Sequence, residues 1–274
     1  MTPSWSLITV TYNNAGTLRA HWQQPLPAGV EWIVVDNASS DGSADAARSL
    51  GARVIELEEN LGFGRANNVG YQHSTGEIVA FVNPDVIVDP GSLPLIAARL
   101  SDEPGVVAPQ LRYPDGSAQP SGRGLPTFTD KVLSRLGSAS ARDRYYIVAE
   151  PGETRFVGWL VGAAVVARRE IFDRLGDAGP WDPRFFVYYE DCDLGLRTWR
   201  DGMTVRVLGD ASWTHTWARA TKSFRIKPWM LELDGMRSFY SRYPSAFLGI
   251  GPNRWWRALR RDRWGMLASE ESST

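Results

Sequence analysis

The sequence predicts an α/β fold whose central sheet is mostly parallel and flanked by helices. Three observations carry that expectation. Short runs rich in β-branched residues alternate with helix-like segments over the first hundred positions, the pattern of βαβ units. The runs Trp32-Ile33-Val34-Val35 and Ile78-Val79-Ala80-Phe81-Val82 are continuously apolar, as strands buried on both faces are. The chain has 274 residues, enough for a large α/β core that needs no disulfide or metal staple.

The elements follow in order. Trp5–Thr11 is a strand, Ala15–Gln24 a helix and Glu31–Asp36 a buried strand. Asp41-Gly42-Ser43 opens a helix reaching Leu50, with Asp41 placed as its N-cap. Arg53–Leu57 is a third strand and Phe63–Ser74 a helix; Glu77–Val82 and Ser92–Leu100 complete the alternation. Right-handed crossovers then gather the strand ends on one edge. Beyond Pro114 the pattern loosens into polar stretches at 114–127 and 137–153, the first dense in Gly and Pro. Loops of that length in a compact domain are usually functional or mobile. Order resumes with the apolar stretch Phe156–Ala167, broken by Gly158 and Gly162, and a helix over Arg169–Leu175. An acidic cluster, Glu190-Asp191-Cys192-Asp193, then precedes a helix over Asp193–Arg200 and strands near Thr204–Leu208 and Ser212–Thr216. The expected organisation is a ligand-binding half (1–110), a more irregular half of the same domain (111–227) and a C-terminal helical extension with a tail (228–274).

Composition narrows the function. A formal net charge of −1 gives no global positive field, which argues against generic nucleic-acid binding. The single cysteine, Cys192, rules out an internal disulfide and fits a reducing compartment. No apolar run reaches the roughly 18 residues of a membrane span, and no charged-then-apolar leader is visible, so a cytoplasmic protein is expected. Charge is uneven near the end. Arg254, Arg257, Arg260, Arg261 and Arg263 lie among Trp255, Trp256 and Trp264. That mixture suits peripheral contact with an anionic membrane, or a helix packing its tryptophans on the domain.

Polar residues occupy all four early strand ends: Thr11-Tyr12-Asn13-Asn14, Asp36 to Gly42, Glu59 to Arg65, and Asn83-Pro84-Asp85. Open α/β sheets bind ligands at such an edge. Each group alone also reads as a turn or a cap. Gly62-Phe63-Gly64-Arg65-Ala66-Asn67-Asn68 departs from the dinucleotide fingerprint at Asn67 and follows the third strand instead of the first. Its glycines suit close approach of a helix N-terminus to a ligand, and Arg65 could meet a phosphate.

Together, Val10-Thr11-Tyr12-Asn13, Val35-Asp36-Asn37-Ala38-Ser39-Ser40-Asp41-Gly42-Ser43, Glu59-Asn60-Leu61-Gly62-Phe63-Gly64 with Asn67-Asn68, Asn83-Pro84-Asp85 and Tyr189-Glu190-Asp191-Cys192-Asp193-Leu194 resemble the inverting family 2 glycosyltransferases. The resemblance covers about residues 5–217 and is nearest to the rhamnosyltransferase-like branch of bacterial cell-wall and O-antigen assembly. It implies a GT-A-type nucleotide-sugar-binding fold and a divalent cation, Mg²⁺ or Mn²⁺. By the same resemblance Asp36 binds the nucleobase, Thr11 and Tyr12 line the base pocket, and Arg65 and Asn67 join the donor site. Asn83 and Asp85 stand where many relatives carry Asp-x-Asp, making Asp85 a metal ligand and Asn83 a donor contact. Asp191 matches the catalytic base, with Glu190 as a second carboxylate orienting the acceptor. His215 falls where relatives place a late histidine at the metal or diphosphate, although Thr216-Trp217-Ala218-Arg219 follows it instead of His-Gly-Gly.

Bottom-up, Trp159 is the aromatic assigned to an acceptor sugar, because Gly158 and Gly162 flank it. Glu190 could alternatively pair with Arg197, and Asp193 reads as a helix cap. Arg219, Lys222, Arg225 and Lys227 form either a lid over a diphosphate or solvated surface. The implied partners are a nucleoside diphosphate sugar, best guessed as thymidine diphosphate rhamnose, and a saccharide or lipid-linked acceptor. A sugar nucleotidyltransferase and an inactive sugar-nucleotide-binding relative are the rivals.

Overall fold

The computed structural model describes residues 3–125, 127, 128, 132, 133, 136–216, 226–244 and 246. Strands β1 (Trp5–Thr11), β2 (Val30–Asp36), β3 (Arg53–Glu56) and β4 (Ile78–Val82) lie side by side in the order β3-β2-β1-β4, all parallel. Helices α1 (Ala15–His21), α2 (Ser43–Ser49) and α3 (Phe63–His73) connect them, and α4 (Leu93–Asp102) follows β5 (Val86–Ile87). Side chains alternate across a strand, so a strand covered on both faces must be apolar throughout. In β4, Ile78, Ala80 and Val82 join one core with Leu18, Trp22, Trp32 and Ile96, while Val79 and Phe81 join the other with Tyr71, Phe172 and Trp181. Those two cores are the reason for the uninterrupted apolar run.

The second half completes the same sheet. It supplies β6 (Gly105–Arg112), β9 (Thr154–Phe156), β11 (Ala164–Arg168) and β12 (Thr204–His215). The nine-stranded order is β3-β2-β1-β4-β11-β6-β12-β5, with β9 also on β12. β11 runs antiparallel to both β4 and β6, so β6 and its parallel partner β12 share the direction of β1 to β4. The sheet is therefore mostly parallel, with three short antiparallel insertions at β5, β9 and β11.

Several elements differ from the sequence expectation. α1 stops at His21, three residues before the expected end at Gln24. β6 is a fully paired central strand that the sequence conceals behind Pro109. Proline cannot donate to a ladder, and the register of β12 shifts immediately after the residue opposite it, between Leu208 and Ser212. The two expected strands at 204–216 are one bulged strand. The stretches read as loops hold β7 (Gly122–Arg123), α5 (Ala139–Tyr145) and β8 (Tyr146–Ile147), and β7 pairs with β8 and with β10 (Trp159–Leu160). After α6 (Arg169–Leu175), the acidic cluster is itself the first turn of α7 (Glu190–Arg200), three residues earlier than expected. α8 (Ile226–Arg242) begins before the boundary expected at 228. Arg219, Lys222 and Arg225, the side chain of Lys227, the Arg/Trp segment 254–264 and the tail 269–274 lie outside the described residues.

α7 is seated on β10 by close backbone approach. A Cβ at Gly195 would come within 2.6 Å of the Gly158 carbonyl oxygen and of Trp159 Cβ. The Trp199 indole N–H also donates to the Val157 carbonyl at 2.8 Å. Gly195→Ala should therefore cost about 1–3 kcal/mol by overpacking. A thermal melt should show a fall of about 2–4 °C per kcal/mol, and an unchanged midpoint would contradict this seating.

Candidate active site

The strand ends are tied to one another by side-chain hydrogen bonds. Thr11 and Asp36 are register partners at the ends of β1 and β2. Asp41 accepts from the Ser43 N–H at 3.0 Å and from the Ala15 N–H at 2.9 Å at the head of α1, but the N-cap of α2 is Gly42, in left-handed backbone at φ 79°, and not Asp41 as expected. Asn13 and Ala38 hold left-handed backbone, φ 56° and 63°, and Asn13 Oδ1 accepts from the Ser40 N–H at 2.9 Å. Asn37 reaches the third loop, donating to Asn60 Oδ1 at 2.9 Å and accepting from the Leu61 N–H at 2.8 Å. Within this built edge two buried oxygens have no hydrogen-bond partner: Thr11 Oγ1 and Asp36 Oδ1. Asp36 Oδ2 accepts from the Ser39 N–H. A buried polar atom left unpaired costs about 1–3 kcal/mol, so such a pair at a ligand-binding edge points to a polar ligand. Tyr12, half exposed, stands beside them.

Two residues assigned to the donor have other tasks. Asn67 is 1% exposed and its amide donates to the Phe63 carbonyl within α3, so it faces helix and not ligand. Arg65 donates through Nε to the Pro183 carbonyl at 2.7 Å, which fastens α3 to the segment before α7. Gly62, at φ 83°, reinforces that junction. A Cβ there would lie 2.3 Å from the Phe186 carbonyl oxygen, and the same oxygen accepts the Phe63 N–H.

Asn83, Asp85 and His215 come together, and the sheet explains why. The Val86 end of β5 pairs with His215 of β12, so the residue before the strand, Asp85, meets the imidazole. His215 Nε2 lies 3.4 Å from Asp85 Oδ2, and Nδ1 lies 2.8 Å from Gln119 Oε1. Thr216 N–H donates to the Asp85 carbonyl, and the Trp22 indole holds the Pro84 carbonyl. Asn83, Asp85 and His215 line a cavity of about 760 Å³ together with Tyr113, Gln119, Arg123, Arg142 and Tyr146. The imidazole and the Asp85 carboxylate thus face each other at the mouth of this space. Among the described residues no group of three or more His, Cys, Asp or Glu side chains could hold a metal ion. One carboxylate, one imidazole and the Asn83 amide do fit a cation that takes most of its oxygens from a bound phosphate.

Asp191 and Glu190 line a second cavity, of about 150 Å³, with Trp159, Tyr145, Tyr188, Tyr189, Cys192, Glu232 and Tyr240. The carboxylates at 85 and 191 therefore do not share one cavity. They are neighbours across Val161–Ala163 and Arg123: Val161, Ala163 and Arg123 line the larger space, while the Gly162 N–H donates to Asp191 Oδ2 at 3.3 Å. The Arg123 guanidinium lies 4.9 Å from the Tyr146 ring centroid and 5.8 Å from that of Trp159. Tyr188 and Tyr189 both have φ 70°, which is costly for aromatic residues, and this turn sets Glu190 and Asp191 at the head of α7.

Burial pushes both carboxyls up, with the negative charge of Asp191 adding to the effect on Glu190, which is raised well above the usual range. The Cys192 and Gly162 N–H groups and the Arg123 charge hold Asp191 back down. Burial and the neighbouring Asp191 charge therefore act most strongly on Glu190, while Asp191 is the member with groups that favour its ionised form. Glu190 does not pair with Arg197. That arginine instead takes Asp193, Nε to Oδ2 at 2.6 Å. Asp193 is no surface cap: it is wholly buried and also accepts from the Tyr243 hydroxyl at 2.8 Å, which pins the end of α8 to α7.

Comparison with known proteins decides the family. The family model for glycosyl transferase family 2 matches residues 6–175. The chain belongs to this family. It is a glycosyltransferase. Over 98% of its length and 92% of the relative's, this glycosyltransferase is 30% identical to the N-acetylglucosaminyl-diphospho-decaprenol L-rhamnosyltransferase of Mycobacterium tuberculosis. Its fold matches a Pyrobaculum calidifontis mannosyltransferase solved with GDP-Man and Mn²⁺, TM-score 0.58 at 21% identity, covering 88% of this chain and 65% of that one. A crystal structure of a mycobacterial protein matches at TM-score 0.59 and 21% identity, covering 92% of this chain and 76% of that one. The GT-A-type fold expected from the motifs is the one these neighbours share.

Sequence reading missed Arg123, Gln119, Arg142 and the wall of the smaller cavity contributed by α8. Arg123 lies in a Gly/Pro-rich stretch where no periodic signal separates it from other loop arginines. Glu232 and Tyr240 reach the cavity only through tertiary packing. The α7–α8 clasp is testable. Tyr243→Phe should leave the Asp193 carboxylate short of one donor and cost about 1.5–3 kcal/mol, read by chemical denaturation. Equal midpoints for the two proteins would contradict the clasp.

Proposed function

We propose that the enzyme transfers a sugar with inversion from a nucleoside diphosphate donor to a hydroxyl of a saccharide or lipid-linked acceptor. The observation that supports it most is the separation of two chemistries at one sheet edge. Asn83, Asp85 and His215 line one cavity with Arg123, and the Glu190–Asp191 acid pair lines a second beside it. Asp36 and Thr11 would hold the nucleobase, with Tyr12 beside them. Asp85 and His215, with Asn83, would hold Mg²⁺ or Mn²⁺, and a hard cation there supplies positive charge to the leaving diphosphate. Arg123 and Arg142 line the same cavity and carry fixed positive charge towards it.

Asp191 serves as general base, accepting the proton of the acceptor hydroxyl as that oxygen attacks the anomeric carbon. It needs to be ionised for this, and Arg123 together with two backbone N–H groups favours that state. Glu190, protonated, orients the acceptor. The 30% identical relative is named for rhamnose transfer to a diphospho-decaprenol-linked sugar. Rhamnose from a thymidine diphosphate donor and a polyprenyl-linked acceptor in glycan assembly are accordingly the reading adopted, at the cytoplasmic side of a membrane. No helix among the described residues is long and apolar enough to cross a bilayer. Contact with lipid would fall to the Arg/Trp segment 254–264.

Turnover with a panel of nucleotide sugars, thymidine diphosphate rhamnose included, tests the reading; no turnover with any donor would end it. Asp191→Asn should abolish transfer, a loss of a hundredfold or more, while nucleotide affinity stays within about twofold. Loss of nucleotide affinity in that variant would contradict the assignment. Arg123→Gln removes the charge that lowers the Asp191 pKa. The base is active above its pKa, so the acidic limb of the pH–rate profile should move to higher pH. An unmoved limb would remove Arg123 from this role.

A further inference from the structure

Three buried polar side chains stand behind His215: Gln110, Gln119 and Ser121. A buried amide or hydroxyl costs stability unless it is hydrogen-bonded, and here the bonds fix one short segment, 119–121, against β6. The Gln110 amide nitrogen donates to the Gln119 carbonyl and, at 2.7 Å, to the Leu111 carbonyl. Its oxygen accepts from the Ala149 N–H at 2.8 Å. Ser121 Oγ donates to the Gln119 carbonyl at 3.2 Å and accepts from the Leu111 N–H at 2.6 Å. The Gln119 N–H donates to the Leu111 carbonyl at 2.8 Å. Both main-chain groups of Gln119 are thus tied down, and its side-chain oxygen is brought to His215 Nδ1 at 2.8 Å.

That contact has a chemical consequence. An amide oxygen only accepts, while a neutral imidazole carries one proton on either of its two nitrogens. An oxygen at Nδ1 favours the proton there and leaves the electron pair on Nε2, the nitrogen that faces Asp85 at 3.4 Å. Water could serve either tautomer because it both donates and accepts, but Gln119 and His215 are each only 5% exposed. Pairing of His215 with Val86 places the ring, and the Gln119 oxygen selects its protonated nitrogen. Hydrogen bonds from behind a ligating imidazole fix its tautomer and orientation and raise its basicity.

We propose that Gln119 is a positioning residue for the cation site: it holds His215 as the Nδ1–H tautomer, so that Nε2 offers its electron pair beside the Asp85 carboxylate. The assignment rests on the metal-dependent reading of this cavity and adds the residue that decides whether His215 can serve it.

Long-range ¹⁵N–¹H NMR on the full chain reads the tautomer directly. The chain has 3 histidines, so His215→Gln identifies the signal by its loss. At about pH 8, where an ordinary imidazole is neutral, wild-type His215 should carry its proton on Nδ1. Gln119→Met keeps the length of the side chain and loses the acceptor; it should give a mixture of tautomers or the Nε2–H form. Its main-chain bonds survive, so the variant should fold. Gln119→Glu, which still accepts, should restore the Nδ1–H form. Calorimetric titration of Mn²⁺ in the presence of a nucleoside diphosphate should show affinity about tenfold to a hundredfold weaker in Gln119→Met, and mostly retained in Gln119→Glu. Binding of the nucleoside alone should be the same in all three proteins. An Nε2–H tautomer in wild type, equal Mn²⁺ affinity in wild type and Gln119→Met, or failure of Gln119→Glu to restore the tautomer would overturn the role of Gln119 and leave the cation site standing. Wild type that binds nucleoside diphosphate without any response to Mn²⁺ would take down the cation site and this role with it.

Discussion

Everything at this site depends on how β12 and β5 close the sheet edge. A carboxylate and an imidazole 130 residues apart meet because Val86 and His215 are register partners, and the chain can place Asp85 nowhere else. The same strand carries Val207 into the core and shares its direction with β6. Bulging between Leu208 and Ser212 lets β12 follow a proline-containing neighbour and still bring His215 to the ligand edge. The sheet is thus the device that turns separated motifs into one site.

Electrostatics divide the labour across it. Arg123 lines the cavity that holds Asn83, Asp85 and His215 and is close enough to the acid pair for its charge to act on Asp191. Its own guanidinium is pulled down by burial, and the nearby Asp191 and tyrosines favour its charge. A cation so placed can act on both sides. Towards the larger cavity it would favour an anionic group under the proposed function. Towards the smaller it lowers the Asp191 carboxyl, while burial and the Asp191 charge push Glu190 up. Two carboxyls one residue apart acquire different roles because their surroundings differ, the general route by which sites separate acid from base.

Much of this was legible in the sequence, for physical reasons. The parallel half shows itself because βαβ units impose apolar strands and polar ends at regular intervals. Thr11, Asp36 and Asp85 were visible as polar residues at those ends, whereas Asp191 and His215 were singled out through the family resemblance. A helix N-terminus that approaches a ligand and one that packs on a neighbouring loop use the same glycines; here the neighbour is Phe186, and Asn67 and Arg65 also hydrogen-bond to protein. β6 was hidden by Pro109, whose missing donor is accommodated by a bulge that only the partner strand reveals. The start of α7 was hidden by two tyrosines in left-handed backbone, a conformation that their side chains disfavour. The compartment closed by α8 depends on contacts between residues about fifty positions apart, such as Asp193 with Tyr243, which no local pattern encodes.

The central claim is that the edge formed by Thr11, Asp36, Asn83, Asp85 and His215 binds a nucleoside diphosphate together with a divalent cation. Calorimetric titration of thymidine, uridine and guanosine diphosphates, each with and without Mn²⁺, tests it most directly. The account predicts saturable one-to-one binding of at least one of them, tightened by at least tenfold when Mn²⁺ is present. Binding that ignores the cation, or no binding by any of the three, would contradict it.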